Sequence, residues 1–143
     1  MPTWFDRSRS LQELESHDWG EPRQPFPVVI KAHHLRRKPL NQFSTEDLRF
    51  MIAQSVGLPF LVPLAVEELE NDPLAEANFY RGDLLGAVIR IGQPFWSTHA
   101  DFYGRMCDVV LRVKKLLPSL DQVDEPTVRK VLEEASPAFL HQH

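Results

Sequence analysis

The sequence predicts an all-α fold, a single compact domain of about six or seven helices joined by short turns marked by proline and glycine. Three observations predict it. Ser10 and Ser44 each open a run with helix-capping chemistry. Apolar residues recur at helical spacing over Leu48–Ile52 and again at Phe102, Met106, Val109, Val110, Val113 and Leu117. No pair of alternating segments is joined by a hairpin turn. The 143 residues suffice to bury a core without staples, and 43% hydrophobic with 25% charged residues is a globular composition. The domain is expected to span 1–143, with 1–9 and 136–143 frayed.

Taken in order, Ser10-Leu11-Gln12-Glu13 reads as a capping box, opening a short helix with Leu11 and Leu14 inward and an end near His17. Trp19-Gly20-Glu21-Pro22 is turn chemistry, and the prolines from Pro22 to Pro27 make an extended connector. Val28-Val29-Ile30 is compatible with a strand, but Val28, Ala32 and Leu35 fall on one helical face and Pro27 suits a first helical position, so a helix is expected. It stops at Pro39.

Ser44 caps the next helix, with Leu48, Met51 and Ile52 inward and Gly57 as its terminator. A helix from Pro59 or Pro63 to Asn71 follows. Leu61, Leu64, Ala65 and Leu69 form its buried stripe, and Pro63 must lie in the first turn or bend it. Phe79–Asp83 is a turn, and Asp83 caps a short helix carrying Leu84, Leu85, Val88 and Ile89. The longest helix runs from about Thr98 to Leu117. A last one starts at Asp124 with Val128, Val131, Leu132 and Ala135 inward.

Net charge is −4. Over 66–83, six acids (Glu67, Glu68, Glu70, Asp72, Glu76, Asp83) face one base, Arg81, a net of −5, so the rest of the chain sums to +1. Lys31, Arg36, Arg37 and Lys38 form a basic cluster without an acid. An electrically two-ended molecule is expected. The single cysteine, Cys107, fits a reducing compartment. The opening MPTWFDRSRS lacks a signal-peptide core, and no apolar run approaches the roughly 18 residues of a membrane span. A cytoplasmic protein is expected.

Catalytic and metal chemistry find little support. His33 and His34 are adjacent and diverge on a helix, His141 and His143 lie in the tail, and there is neither HExxH nor a cysteine pair. No metal or cofactor is expected. Cys107 lies inside the long helix as a structural thiol, and there is no nucleophile elbow or phosphate loop. The pair of helices around Gly57 looks superficially like a helix-turn-helix. Its second helix ends in Glu67-Glu68-Leu69-Glu70, which phosphate would repel, so nucleic acid is not an expected partner. The acids are candidates for a protein-docking surface: Glu67, Glu68, Glu70, Asp72, Glu76 and Asp83 steer a basic partner, and Phe79 and Tyr80 supply its anchors. The bland alternatives are a solvated surface for the acids and core packing for the two aromatics.

The run Leu35-Arg36-Arg37-Lys38-Pro39-Leu40 with Phe43-Ser44-Thr45-Glu46-Asp47-Leu48-Arg49, then Gly57 through Glu70, Asn71 through Glu76 and Phe79 through Leu85, resembles the immunity proteins of bacterial contact-dependent growth inhibition (CDI) systems. Leu11–Glu15 with Trp19-Gly20 fits the same pattern, so the likeness covers roughly 10 to 97. The resemblance implies a cytosolic, non-enzymatic inhibitor that binds tightly the cognate C-terminal toxin domain of a surface-delivered effector, often a nuclease; the mechanism expected here is steric occlusion of the toxin's active cleft. It implies no residue-by-residue interface, because each immunity protein matches its own toxin. The rival readings are a helical adaptor unrelated to toxins and a small acid–base enzyme. On its own the protein is expected to be a monomer or a weak dimer.

Overall fold

The computed structural model describes residues 4–140. Among them the chain forms nine α-helices: α1 (Leu11–Glu15), α2 (Pro27–Arg36), α3 (Thr45–Ala53), α4 (Leu58–Asn71), α5 (Asp83–Ile89), α6 (Gln93–Trp96), α7 (Ala100–Leu116), α8 (Asp124–Glu133) and α9 (Pro137–Leu140). No strand occurs among the described residues, where the β pairing is a single antiparallel bridge between Glu76 and Arg81. The fold is all-α, as the sequence predicts. The helices beyond the expected count are α6 and α9, whose four residues each are too few to leave a periodic pattern.

Helices α4 and α5 form the middle of the molecule. All seven residues of α5 are buried, and α4 buries Leu61, Val62, Pro63, Leu64, Ala65, Val66 and Leu69. A helix that is apolar all round belongs inside. Helix α3 packs on both, α7 covers α4 and α8 covers α5. Pro63 lies well inside α4 and withholds one helical N–H, yet the helix continues, because the residues around Pro63 are held in the core.

The local chemistry explains the boundaries. Ser10 Oγ accepts from the Glu13 amide at 3.2 Å and the Glu13 carboxylate accepts from the Ser10 amide at 3.0 Å, a complete capping box. Ser44 and Asp47 repeat it at 3.0 and 3.1 Å. Gly57 is the N-cap of α4 rather than the terminator of α3, whose C-cap is Gln54. Gly57 has φ +66°, and a Cβ there would lie 2.7 Å from Leu11 Cδ1, so glycine lets the start of α4 close onto α1. The Val28–Ile30 stretch is helical, as expected. Its first turn stands off the core, however, with Val28 49% exposed, and only Ala32, Leu35 and Arg36 of α2 are buried.

The two ends that are expected to fray make internal contacts where they are described. Phe5 packs edge-on to Phe60 with ring centroids 5.2 Å apart, and the Arg7 and Arg9 carbonyls accept from the Asn41 and Leu40 amides at 2.8 and 3.0 Å. At the other end Phe139 is buried, Tyr103 Oη donates to the Ala138 carbonyl at 2.6 Å, and Ser136 Oγ donates to the Ile91 carbonyl at 2.8 Å. His141 and His143 lie outside the described residues.

Candidate protein-binding site

The site is built on the turn between α4 and α5. The Glu76–Arg81 bridge closes its neck. Gly82, at φ +91°, turns the chain into α5, a backbone state that glycine adopts without penalty. Asp83 is therefore the first residue of α5 and not its cap. Its carboxylate accepts the amides of Ala77 at 2.7 Å, Asn78 at 3.0 Å and Phe79 at 2.9 Å. Burial pushes the Asp83 carboxyl up, but the amides of Asn78, Phe79, Ala77 and Tyr80 outweigh it and hold its pKa below the ordinary value. With 4% exposure, Asp83 offers almost no surface to a partner. Its assignment to the docking surface is corrected: it holds the turn from inside.

Phe79 is the projecting side chain of the turn, 62% exposed. The guanidinium of Arg49 lies 4.7 Å from its ring centroid. Arg49 is itself fixed by a two-point pair with Glu46, Nε–Oε1 at 2.5 Å and Nη2–Oε2 at 2.9 Å. Tyr80 is half-buried and lines a cavity of about 210 Å³ with Arg49, Ser55, Phe79, Asp83 and Arg90.

The remaining acids divide. Glu67 pairs with Arg7, and Glu68 accepts from Thr45 Oγ1 at 2.8 Å. Glu70 takes Arg105 Nε at 2.9 Å and Nη2 at 2.5 Å, while its carbonyl takes Arg112 at 2.8 Å. The Arg105 bond holds the Glu70 carboxyl below its ordinary pKa. These three are partly buried on α4. Asp72 caps the Leu74 amide at 3.1 Å and is exposed, as is Glu76. Two acids that the linear pattern misses join this end: Asp124 bonds Arg81 at 2.8 Å, and Asp121 and Asp72 add to the field at Arg81. Asp121 also caps the start of α8, accepting the Val123 and Asp124 amides at 2.9 and 2.7 Å. The capping pattern at 121–124 is visible in sequence, but its arrival beside Arg81 is not.

The expected charge separation is therefore softened by pairing. Lys38 bonds Asp47 at 2.7 Å and Lys31 faces Glu46 at 3.6 Å. Arg36 is 1% exposed, bonded to Glu15 and the His17 carbonyl, with its guanidinium 4.3 Å from the Trp19 ring centroid. The basic cluster loses this residue from the surface: α2 turns Arg36 inward, where Trp19 covers it. Cys107 is half-buried, and burial pushes its thiol above the ordinary pKa. Among the described residues no group of three or more His, Cys, Asp or Glu converges as a metal site, and no helix is long and apolar enough to cross a membrane.

An all-α chain whose projecting features are an aromatic turn, acids and arginines has the makings of a protein-binding surface. The sequence profile of a family described as CDI immunity proteins matches residues 13–105, more than half of the chain and nearly the range of the resemblance. The chain belongs to that family of CDI immunity proteins. No curated protein and no solved structure matches it.

Proposed function

We propose that the protein confers immunity by binding the cognate CDI toxin domain tightly and occluding its active site, as a non-enzymatic cytoplasmic monomer. The family match over residues 13–105 carries the reading. The α4–α5 turn supports a location for the contact. Phe79 is the aromatic anchor, Tyr80 borders it, and Asp72 and Glu76, joined by Asp121 and Asp124, give the field that draws in a basic face of the toxin. Glu67, Glu68 and Glu70 contribute to that field from α4, although each already has a partner inside the molecule. Steric occlusion needs no chemistry from the inhibitor, only affinity that keeps a catalytic toxin bound.

The test is co-expression with the toxin domain encoded beside this chain. Rescue of growth together with a co-purifying complex is the expected result. Growth arrest in the presence of folded, abundant immunity protein contradicts the reading.

A further inference from the structure

The cavity between α3 and α5 is rich in donors and poor in acceptors. Arg49 uses Nε and Nη2 on Glu46, leaving Nη1 without a partner among the described residues. Arg90 uses only Nη2, on Glu134 at 2.6 Å. Tyr80 and Ser55, each with a hydroxyl donor, line the same space. The one acid in the lining, Asp83, is already saturated by backbone amides.

The ion pairs that hold these two arginines leave an excess of positive charge, although the Asp83 carboxylate adds its field at Arg49. Glu46 is shared between Arg49 and Lys31, and Glu134 between Arg90 and Lys130, the last at 3.8 Å. Each carboxylate thus faces two cations. An adjoining hollow shares Tyr80 and Arg90 and adds Lys130. Unused donors with excess positive charge recognise an anion, and a guanidinium fork suits a carboxylate. At about 210 Å³ the space is below the usual size of a small-molecule or cofactor site and suits a single side chain. Phe79, 62% exposed on the rim, supplies apolar contact beside it.

We propose that this cavity is a socket for an Asp or Glu side chain of the toxin domain, with Arg49, Arg90 and Tyr80 as donors and Phe79 as the flanking anchor. The proposal rests on the reading that the chain binds a toxin domain. It adds a contact opposite in sign to the acidic end of the same turn, so the two fix the orientation of the partner.

The test is calorimetric titration of the full chain with the toxin domain. The immunity variants are Arg90→Gln, Tyr80→Phe and Arg90→Lys, each checked by thermal unfolding, and the toxin's surface carboxylates are changed singly to amides. Arg90→Gln combined with Tyr80→Phe is expected to weaken binding by roughly 10- to 100-fold, and Arg90→Lys by less. One toxin carboxylate is expected to show non-additive coupling to Arg90. If the wild-type chain binds no toxin, this proposal and the functional reading fall together. If the wild type binds and the folded variants bind equally well, the socket alone is overturned. If affinity falls without coupling to any toxin carboxylate, while inorganic phosphate or acetate shifts the Tyr80 resonances of the free chain, the site takes a small anion and the toxin is not its occupant.

Discussion

The Asp83 carboxylate accepts the Phe79 amide at 2.9 Å, so a buried charge fixes the backbone beneath the exposed aromatic ring of the turn. Asn at 83 keeps the size but has one acceptor oxygen for the amides that two now serve. Asp83→Asn is expected to cost about 1–3 kcal/mol of stability, read from urea denaturation, and to weaken toxin binding by loosening Phe79. An unchanged midpoint contradicts the role given to this carboxylate.

The same group makes stability sensitive to acid. Its folded pKa is depressed, so its contribution is fully present above the unfolded pKa of about 3.9 and is lost as pH falls through the folded value. Glu46, lowered chiefly by its bond to Arg49, acts in the same direction. So does Asp47, which burial raises but the bonds from Lys38 and Ser44 bring below its ordinary pKa. The stability gap between wild type and Asp83→Asn is expected to be constant from pH 7 to about pH 5 and to narrow below about pH 4. A gap that stays constant down to pH 2 contradicts this.

Arg36 gives a contrast between its two sides. Its Nε has no hydrogen-bond partner among the described residues, although its other nitrogens reach Glu15 and the His17 carbonyl. Removing Glu15 leaves a buried cation short of a partner, whereas replacing Arg36 by an apolar chain of similar length removes the charge altogether. Glu15→Ala is expected to cost roughly 1–3 kcal/mol and Arg36→Met less, measured by thermal unfolding. The reverse order contradicts the account of the Trp19-covered guanidinium.

Much of this fold is legible in the chain itself. The capping boxes at Ser10 and Ser44, and the apolar stripes of α4, α5, α7 and α8, are local signals and appear where the spacing puts them. What the spacing does not show depends on distant residues. Leu11 against Gly57 turns an expected helix stop into a helix start. Trp19 folds over Arg36 and removes a base from the surface. At the site, Phe79 in the exposed turn was readable, because a turn after an acidic helix has little core to enter. Arg49 and Arg90 were not, because they reach the cavity from α3 and the end of α5 through packing alone. Asp83 reads as one more acid in a run, and only the fold shows that its charge points inward.

The acids held in ion pairs are separable from Asp72 and Glu76, which are in none among the described residues. Glu70→Gln removes the two-point pair with Arg105 and is expected to cost about 0.5–1 kcal/mol in thermal unfolding. Asp72→Asn with Glu76→Gln is expected to leave the melting temperature nearly unchanged, to slow toxin association roughly 2- to 10-fold at low salt and to flatten its salt dependence. Stopped-flow association rates across ionic strengths check this. A salt dependence identical to wild type removes these acids from the steering surface.

The most direct measurement of the central claim is the equilibrium affinity between the purified full chain and its cognate toxin domain. The account predicts a one-to-one complex with Kd of about 1 nM or tighter, equivalent to about −12 kcal/mol, with Phe79→Ala weakening it at unchanged melting temperature. Absence of binding at micromolar concentrations, by a chain that unfolds cooperatively, contradicts it.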